Sequence, residues 1–392
     1  MVELARDQLV NTLAELVRIP SINPDLVPGA SGERAVAEYI ANRLGQTPGI
    51  SVEMHEAAPG RPNVVAAAGN GRGRPLLLNG HTDTVGVEGM AEPFSGRLVG
   101  DRLYGRGAAD MKDALAAMIV LLETVARQGD FPGRLVCTFV ADEEYASVGT
   151  QAICARIDRW RPDAALVLES TGLNVVVAHK GFVWASIETH GFAAHGSRWQ
   201  TGVDAIARMG QVLTGLEALG AELVRRPARP YVGPPSVHAS LIRGGQELSS
   251  YPASCVLDIE RRTIPGESAE QVRAELQGLL DGIAARDPDF AATLTMGLVR
   301  QPFEVGETAG IVRAVQAATQ AVVGRPAEPQ GAAGWMDSAL LAAAGVETAI
   351  FGPDGEGAHG HEEWADLEVL TQFAQALARV AHDYCAGGVG AS

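Results

Sequence analysis

The sequence predicts an α/β protein: a mixed, mostly parallel sheet covered by helices, with an inserted ferredoxin-like α+β unit. Three observations predict it. Apolar runs with little alternation at 76–78, 135–140 and 165–168 are separated by helical patterns, as strands buried on both faces require. From about Gly181 the runs alternate instead, as half-exposed strands do. The first texture resumes near residue 309, so the alternating block reads as an insertion. Residues 1–179 and 298–392 then form one domain and 180–297 another, which suits a chain of 392 residues.

The elements follow in order. Residues 3–18 put Leu4, Leu9, Leu13, Leu16 and Val17 on one helical face. Ser31 is the expected N-cap of a second helix through Val36 and Ile40 to Gly45. Strands at 64–68 and 76–78 flank an Asn70-Gly71 turn. Gly69, Gly71 and Gly73 do not read as a phosphate loop, because a strand rather than a helix follows them. A helix is expected at 111–127, a strand at 135–140, a helix at 149–157 and a strand at 165–168. In the insert, strand 183–190, helix 204–219, strands 237–242 and 255–260, helix 267–285 and strand 292–298 give β-α-β-β-α-β. Helix 309–323, strand 348–351 and helix 366–384 return to the first domain.

Composition excludes several functions. Lys and Arg total 31 against 47 Asp and Glu, a net charge of −16 with pI near 5.0. Nucleic acid or an anionic membrane would want a basic face. Aromatics at 5% are too few for stacking single strands. Cys137, Cys154, Cys255 and Cys385 are scattered without a C-x-x-C, which suits a reduced, cytoplasmic protein. MVELARDQLV has no apolar core, so no secretory signal is expected. No apolar run approaches the ~20 residues of a membrane span.

Five acidic or imidazole groups sit just beyond strand-like runs or in glycine-rich turns: His81 with Asp83, Asp110, the Asp142-Glu143-Glu144 triplet, Glu169 and His359. Ligands of open α/β sheets bind at the carboxyl ends of strands. Two imidazoles and three carboxylates without thiolates suit catalytic zinc. Three ligands per metal from five residues require one shared carboxylate, hence two metals roughly 3.5–4 Å apart.

Gly80-His81-Thr82-Asp83-Thr84-Val85, Gly105-Arg106-Gly107-Ala108-Ala109-Asp110-Met111-Lys112, Asp142-Glu143-Glu144, Leu168-Glu169 and Ala358-His359 resemble, in order and spacing, the di-zinc metallopeptidases that include aminoacylase, carboxypeptidase G, acetylornithine deacetylase and succinyl-diaminopimelate desuccinylase. The resemblance spans essentially the whole chain. It implies a zinc-peptidase-like catalytic domain and an inserted lid and dimerisation domain. It implies two Zn2+ per chain, with Co2+ or Mn2+ as substitutes. Asp110 would bridge them, His81 and Glu169 would complete one zinc, and Glu144 and His359 the other. Asp83 would orient His81, and Glu143 would be the general base. The Asp110–Met111 peptide would be cis. His195, in Gly191-Phe192-Ala193-Ala194-His195-Gly196, would donate to the oxyanion, and Arg262, in Arg262-Thr263-Ile264-Pro265-Gly266, would hold a substrate carboxylate.

There are departures from the pattern. Ser250 stands where many relatives carry Asn, which leaves that polar substrate contact open. Asp113 stands where Gly is common, and Trp335 and Met336 are bulkier than usual. The expected activity is hydrolysis of the amide bond of an N-acyl amino acid with a free carboxylate, by a homodimer. The alternative is a carboxypeptidase or dipeptidase acting on short peptides.

Overall fold

The computed structural model describes residues 3–387. They fold as two compact units. One comprises the chain up to Val177, Val305–Gln330 and the chain from Met336 on; the other comprises Ala178–Glu304 and Gly331–Trp335.

The larger unit is built on a mixed sheet. Its strands lie in the order Ser51–Ala58, Arg61–Ala68, Arg134–Val140, Pro75–His81, Ala164–Val167, Glu347–Phe351 and Val175–His179. The four from Arg134–Val140 to Glu347–Phe351 are mutually parallel, and the flanking pairs are antiparallel. All eight residues of Arg61–Ala68 are buried, and so are all but the first of Pro75–His81. Strands covered on both faces cannot alternate, which is why they read as continuous apolar runs. Helix Asp113–Gln128 is buried on nearly every side through Val125, so it too lacks a polar face. The sheet has the α/β character expected from the sequence.

The register aligns the strand ends. Asn79 lies opposite both Thr138 and Val167, and His81 lies opposite Val140. The segments that follow these parallel strands therefore leave the sheet at one edge. A second, small sheet runs Gly355–Glu356, Trp364–Asp366, Arg102–Tyr104 and Arg97–Val99. Its Trp364–Tyr104 pairing puts the loop after Tyr104 beside residues 357–363.

The smaller unit, taken by itself, has an antiparallel sheet in the order Ser236–Gly244, Ser254–Thr263, Gly181–His190 and Ala291–Arg300. Helices Ala205–Leu223 and Ala269–Ala284 complete its β-α-β-β-α-β connectivity. Met209, Val212, Leu216, Val272, Leu276 and Leu280 bury against Ile187, Leu257 and Ile259. Asp204 caps the first helix by accepting from Ala207 N, and Ser268 with Gln271 forms a capping box on the second.

One local expectation fails, and two strands go unread. Ser31 does not cap the second helix, which runs Arg34–Gly45; its Oγ accepts from Ile22 N instead. Strand Ser51–Ala58 has no legible pattern, because it is a largely exposed edge whose polar residues interrupt any alternation. Strand Val175–His179 is separated from Gly181–His190 by Lys180 alone, so its run merges with the next.

Two glycines give opposite tests of the packing. A Cβ at Gly352 would lie 2.0 Å from the Glu169 carbonyl, a backbone atom that cannot give way. A Cβ at Gly278, inside helix Ala269–Ala284, would meet nothing within 4 Å. Gly352→Ala should destabilise by about 1–3 kcal/mol, and Gly278→Ala should stabilise by about 0.5–1 kcal/mol. Urea denaturation of the two variants checks the signs.

Candidate metal centre

Each candidate ligand is delivered by a distinct segment of the larger unit. His81 ends strand Pro75–His81 and is buried. Its Nδ1 lies 3.0 Å from the Asp83 carbonyl and 3.5 Å from Asp83 Oδ1, which leaves Nε2 facing outward. Glu169 follows strand Ala164–Val167. Asp110 lies in the turn before helix Asp113–Gln128, and its peptide bond to Met111 is cis. Gly107, in that turn, has φ +81°, and a Cβ there would sit 2.9 Å from Thr84 Cγ2. His359 is carried by the exposed loop 357–360, itself with φ +61°.

The side chains converge. His81 Nε2 is 3.0 Å from Asp110 Oδ1 and 3.7 Å from Glu169 Oε1. His359 Nε2 is 3.2 Å from Asp110 Oδ2 and 3.1 Å from Glu144 Oε2. Two groups result, His81–Asp110–Glu169 and Asp110–Glu144–His359, each with ligand atoms within 4.8 Å of one another. Asp110 belongs to both and offers a different oxygen to each imidazole. The donors are all nitrogen and oxygen, the chemistry of a hydrolytic divalent site. Glu144 Oε1 is buried without a hydrogen-bond partner among the described residues, as an oxygen facing a cation would be. These residues fit a pair of divalent metals.

Asp83 reaches more than His81. Its Oδ1 accepts from Glu143 N, and its Oδ2 accepts from Glu144 N and Asn23 Nδ2, at 3.1, 3.1 and 2.8 Å. One carboxylate thus sets the backbone of both neighbouring glutamates. Asn23 also donates to Asp142, which receives Arg61 as well. Arg61 is held in turn by buried Glu33.

The electrostatics are those of crowded acids. Burial pushes Glu169 up to about 8, with the Asp110 and Glu144 charges adding and His81 opposing. Burial, then the Glu169 charge, holds the Glu143 carboxyl well above its usual range. Burial also raises Asp337 to about 6, against a hydrogen bond from Thr150. Asp110 runs the other way: burial opposes its ionisation, but its bonds to His359 and His81 hold it low. Bonds to Asp110 and Glu144 raise His359 to about 10.

His81, Asp83, Asp110, Glu143, Glu144, Glu169 and His359 all lie in the larger unit. His195, Ser250 and Arg262 lie in the smaller one. There His195 is exposed, and its Nδ1 accepts from Ser197 N at 3.2 Å. Residues 195 and 250 form an isolated antiparallel bridge, and Ser250 Oγ donates to Glu247. Arg262 pairs with Glu260 at 2.7 Å, its guanidinium 5.5 Å from the Phe182 ring centre.

Sequence reasoning misses four supporting residues: Asn23, Arg61, Arg106 and Glu363. Arg106 stood inside a recognised motif without a task of its own. Glu363 carried a signal only in its distance of four residues from His359.

A sheet that presents two acid–imidazole groups at its carboxyl edge defines a metal-dependent hydrolase. The chain belongs to the peptidase family M20/M25/M40, whose pattern matches residues 77–383. It is 29% identical over 380 residues to an acetylornithine deacetylase of Proteus mirabilis (strain HI4320), covering 95% of each chain. It is 25% identical over 417 aligned positions to an N-formyl-4-amino-5-aminomethyl-2-methylpyrimidine deformylase of Halalkalibacterium halodurans, covering 98% of this chain and 96% of that one. A dinuclear metal-binding M20 peptidase from Bacillus subtilis aligns with a TM-score of 0.74 at 17% identity, covering 97% of this chain and 98% of its own. That last likeness speaks for the fold alone.

The raised carboxyls make the metal-free protein sensitive to pH. Folded Glu169 and Asp337 keep protons that the unfolded chain has released above about pH 4.5. The folded state then binds more protons than the unfolded one, so stability falls as pH rises. Chelator-treated protein should show a lower urea midpoint at pH 7 than at pH 5. An equal or higher midpoint at pH 7 would contradict the assignment.

Proposed function

We propose that the protein is a two-zinc hydrolase that cleaves the amide bond of an N-acyl amino acid with a free carboxylate. The observation that carries this reading is that two three-residue ligand groups share Asp110, while Glu143, next to a ligand, belongs to neither. The acetylornithine deacetylase and the deformylase, both acyl-group hydrolases by name, support it. His81, Asp110 and Glu169 would hold one zinc, and Asp110, Glu144 and His359 the other. When bound, zinc supplies a Lewis acid for the substrate carbonyl and lowers the pKa of water.

The chain's own residues do the rest. Glu143 takes a proton from the attacking water as its oxygen bonds to the acyl carbon. The C–N bond then breaks, and Glu143 returns the proton to the departing amine. Asp83 keeps Glu143 and Glu144 in register through their N–H groups. For the smaller unit, the proposal gives His195 the oxyanion, Arg262 the substrate carboxylate and Ser250 a polar contact. The bond from Ser197 N to His195 Nδ1 favours the tautomer with its proton on Nε2, a donor. The proposal also makes the protein a cytoplasmic homodimer. Phe192, Trp199, Leu241, Ile242 and Leu248 are exposed apolar side chains of the smaller unit and support a covering partner. No helix among the described residues is long and apolar enough to cross a membrane.

A panel of N-acetyl, N-formyl and N-succinyl amino acids beside free dipeptides tests the substrate class. N-acyl substrates should exceed dipeptides at least tenfold in kcat/KM; the reverse order favours the peptidase reading. Glu143→Ala should keep two zinc per chain and lose about 10²–10⁴-fold in kcat. Asp110→Ala should lose zinc at both positions, whereas Glu144→Ala should empty mainly one. Zinc counting on the purified variants decides both.

A further inference from the structure

Arg106 and Glu363 form an ion pair inside the larger unit, NH1 to Oε2 at 2.6 Å, with side chains 3% and 0% exposed. Such a pair adds little net stability, because desolvating both charges offsets their attraction. Its contacts therefore say more about its purpose than its energy does. Beyond the bond that joins them, both side chains bond to backbone near candidate ligands. Glu363 Oε1 accepts from Ala109 N at 2.9 Å and from Asp110 N at 3.1 Å. Its Oε2 accepts from Gly107 N at 3.0 Å. Arg106 NH2 donates to the carbonyl of Gly360, one residue past His359, at 2.7 Å. Its Nε donates to the Gly86 carbonyl at 3.1 Å, on the segment that continues from His81 and Asp83. The backbone adds one more tie, from Gly105 N to the Glu363 carbonyl at 3.0 Å.

Three ligand-bearing segments, far apart in sequence, thus meet on one buried pair. His359 needs this more than the other ligands. Its side chain is 55% exposed and its loop contains no regular helix or long strand. Asp110 needs it because it must present one oxygen to each imidazole, which fixes the carboxylate in rotation as well as position.

We propose that the Arg106–Glu363 pair is a positioning clamp that sets the spacing of the two halves of the metal centre, by holding Asp110 and His359 in register. The proposal rests on the two-metal reading above. Neither residue touches substrate or reacting atoms. Loosening the clamp leaves all five ligands present but misplaced, so it weakens metal binding rather than abolishing it.

Two variants test this. Glu363→Gln keeps the volume, removes the charge and turns one acceptor into a donor facing backbone N–H groups. Arg106→Lys keeps the charge, but a single nitrogen cannot serve Glu363, Gly360 and Gly86 together. The readouts are zinc stoichiometry, zinc affinity by chelator competition, the visible spectrum of the Co2+-loaded protein and the melting temperature of the metal-free protein. Wild type should bind two zinc. Both variants should bind zinc about 10–100-fold more weakly, with an altered Co2+ spectrum, at temperatures where the metal-free protein is still folded. A folded variant with wild-type affinity and spectrum overturns the clamp, even if it melts earlier, because that marks a merely structural pair. If Glu363→Gln does not fold, Arg106→Lys decides by the same criteria. A wild type that binds fewer than two zinc overturns the two-metal reading, and the clamp with it; two zinc in wild type with unchanged variants overturns the clamp alone.

Discussion

Mutual repulsion among carboxylates is the constraint on which the rest of this structure depends. Asp83, Asp110, Glu143, Glu144 and Glu169 carry five negative charges if all ionise, at one edge of one sheet. In a medium of low dielectric such a group cannot stay ionised without compensation. The compensation is graded. Asp83 is offset by two backbone N–H groups and the Asn23 amide. Asp110 is offset by two imidazoles. Glu169 has His81 at 3.7 Å, but burial outweighs the imidazole there and at Glu143, and both carboxyls rise. Two divalent cations would bring the sum from −5 to −1, which is the physical reason the site fits metal.

The sheet makes this concentration of charge achievable. Parallel strands in register end together, so each can hand one polar residue to the same edge while burying its apolar length. Buried burial-on-both-sides strands also anchor what they carry. Gly149 shows how tight the anchoring is: a Cβ there would lie 2.3 Å from the Ala141 carbonyl, just before the Asp142-Glu143-Glu144 turn. Asn63 fastens the same turn, donating to the Gly149 carbonyl and accepting from Ala141 N.

What was legible in the sequence follows from this. The central strands are legible because burial on both faces leaves unbroken apolar runs, and the candidate ligands because each stands where such a run or turn stops. Edge strand Ser51–Ala58 is not legible, because exposure removes the constraint that writes a pattern. Ser31 misleads for a different reason. A serine before a helix can bond the helix or the adjacent chain, and tertiary packing sends its hydroxyl to Ile22 N. Glu33 stands at the N-cap position instead, yet its carboxylate is committed to Arg61 rather than to the helix. Arg106 and Glu363 are 257 residues apart, and no local rule pairs them. Buried ion pairs are written in the fold and not in any window of the chain.

The two adjacent glutamates show how little would separate the proposed ligand from the proposed base. Glu143 and Glu144 have the same chemistry and neighbouring N–H groups held by one carboxylate. Only the direction of the chain parts them. Asp142 has φ +71°, a conformation costly for a residue other than glycine, and it is held there by Arg61, Asn23 and Val148 N. Just after it, Glu144 reaches His359, and Glu143 lies outside both ligand groups. A glutamate that coordinates metal cannot also carry a proton to and fro, so one of the two must be kept out. On the proposed roles, the Asp142 conformation and the buried Arg61 network beside it are the part of this chain placed to keep the two apart.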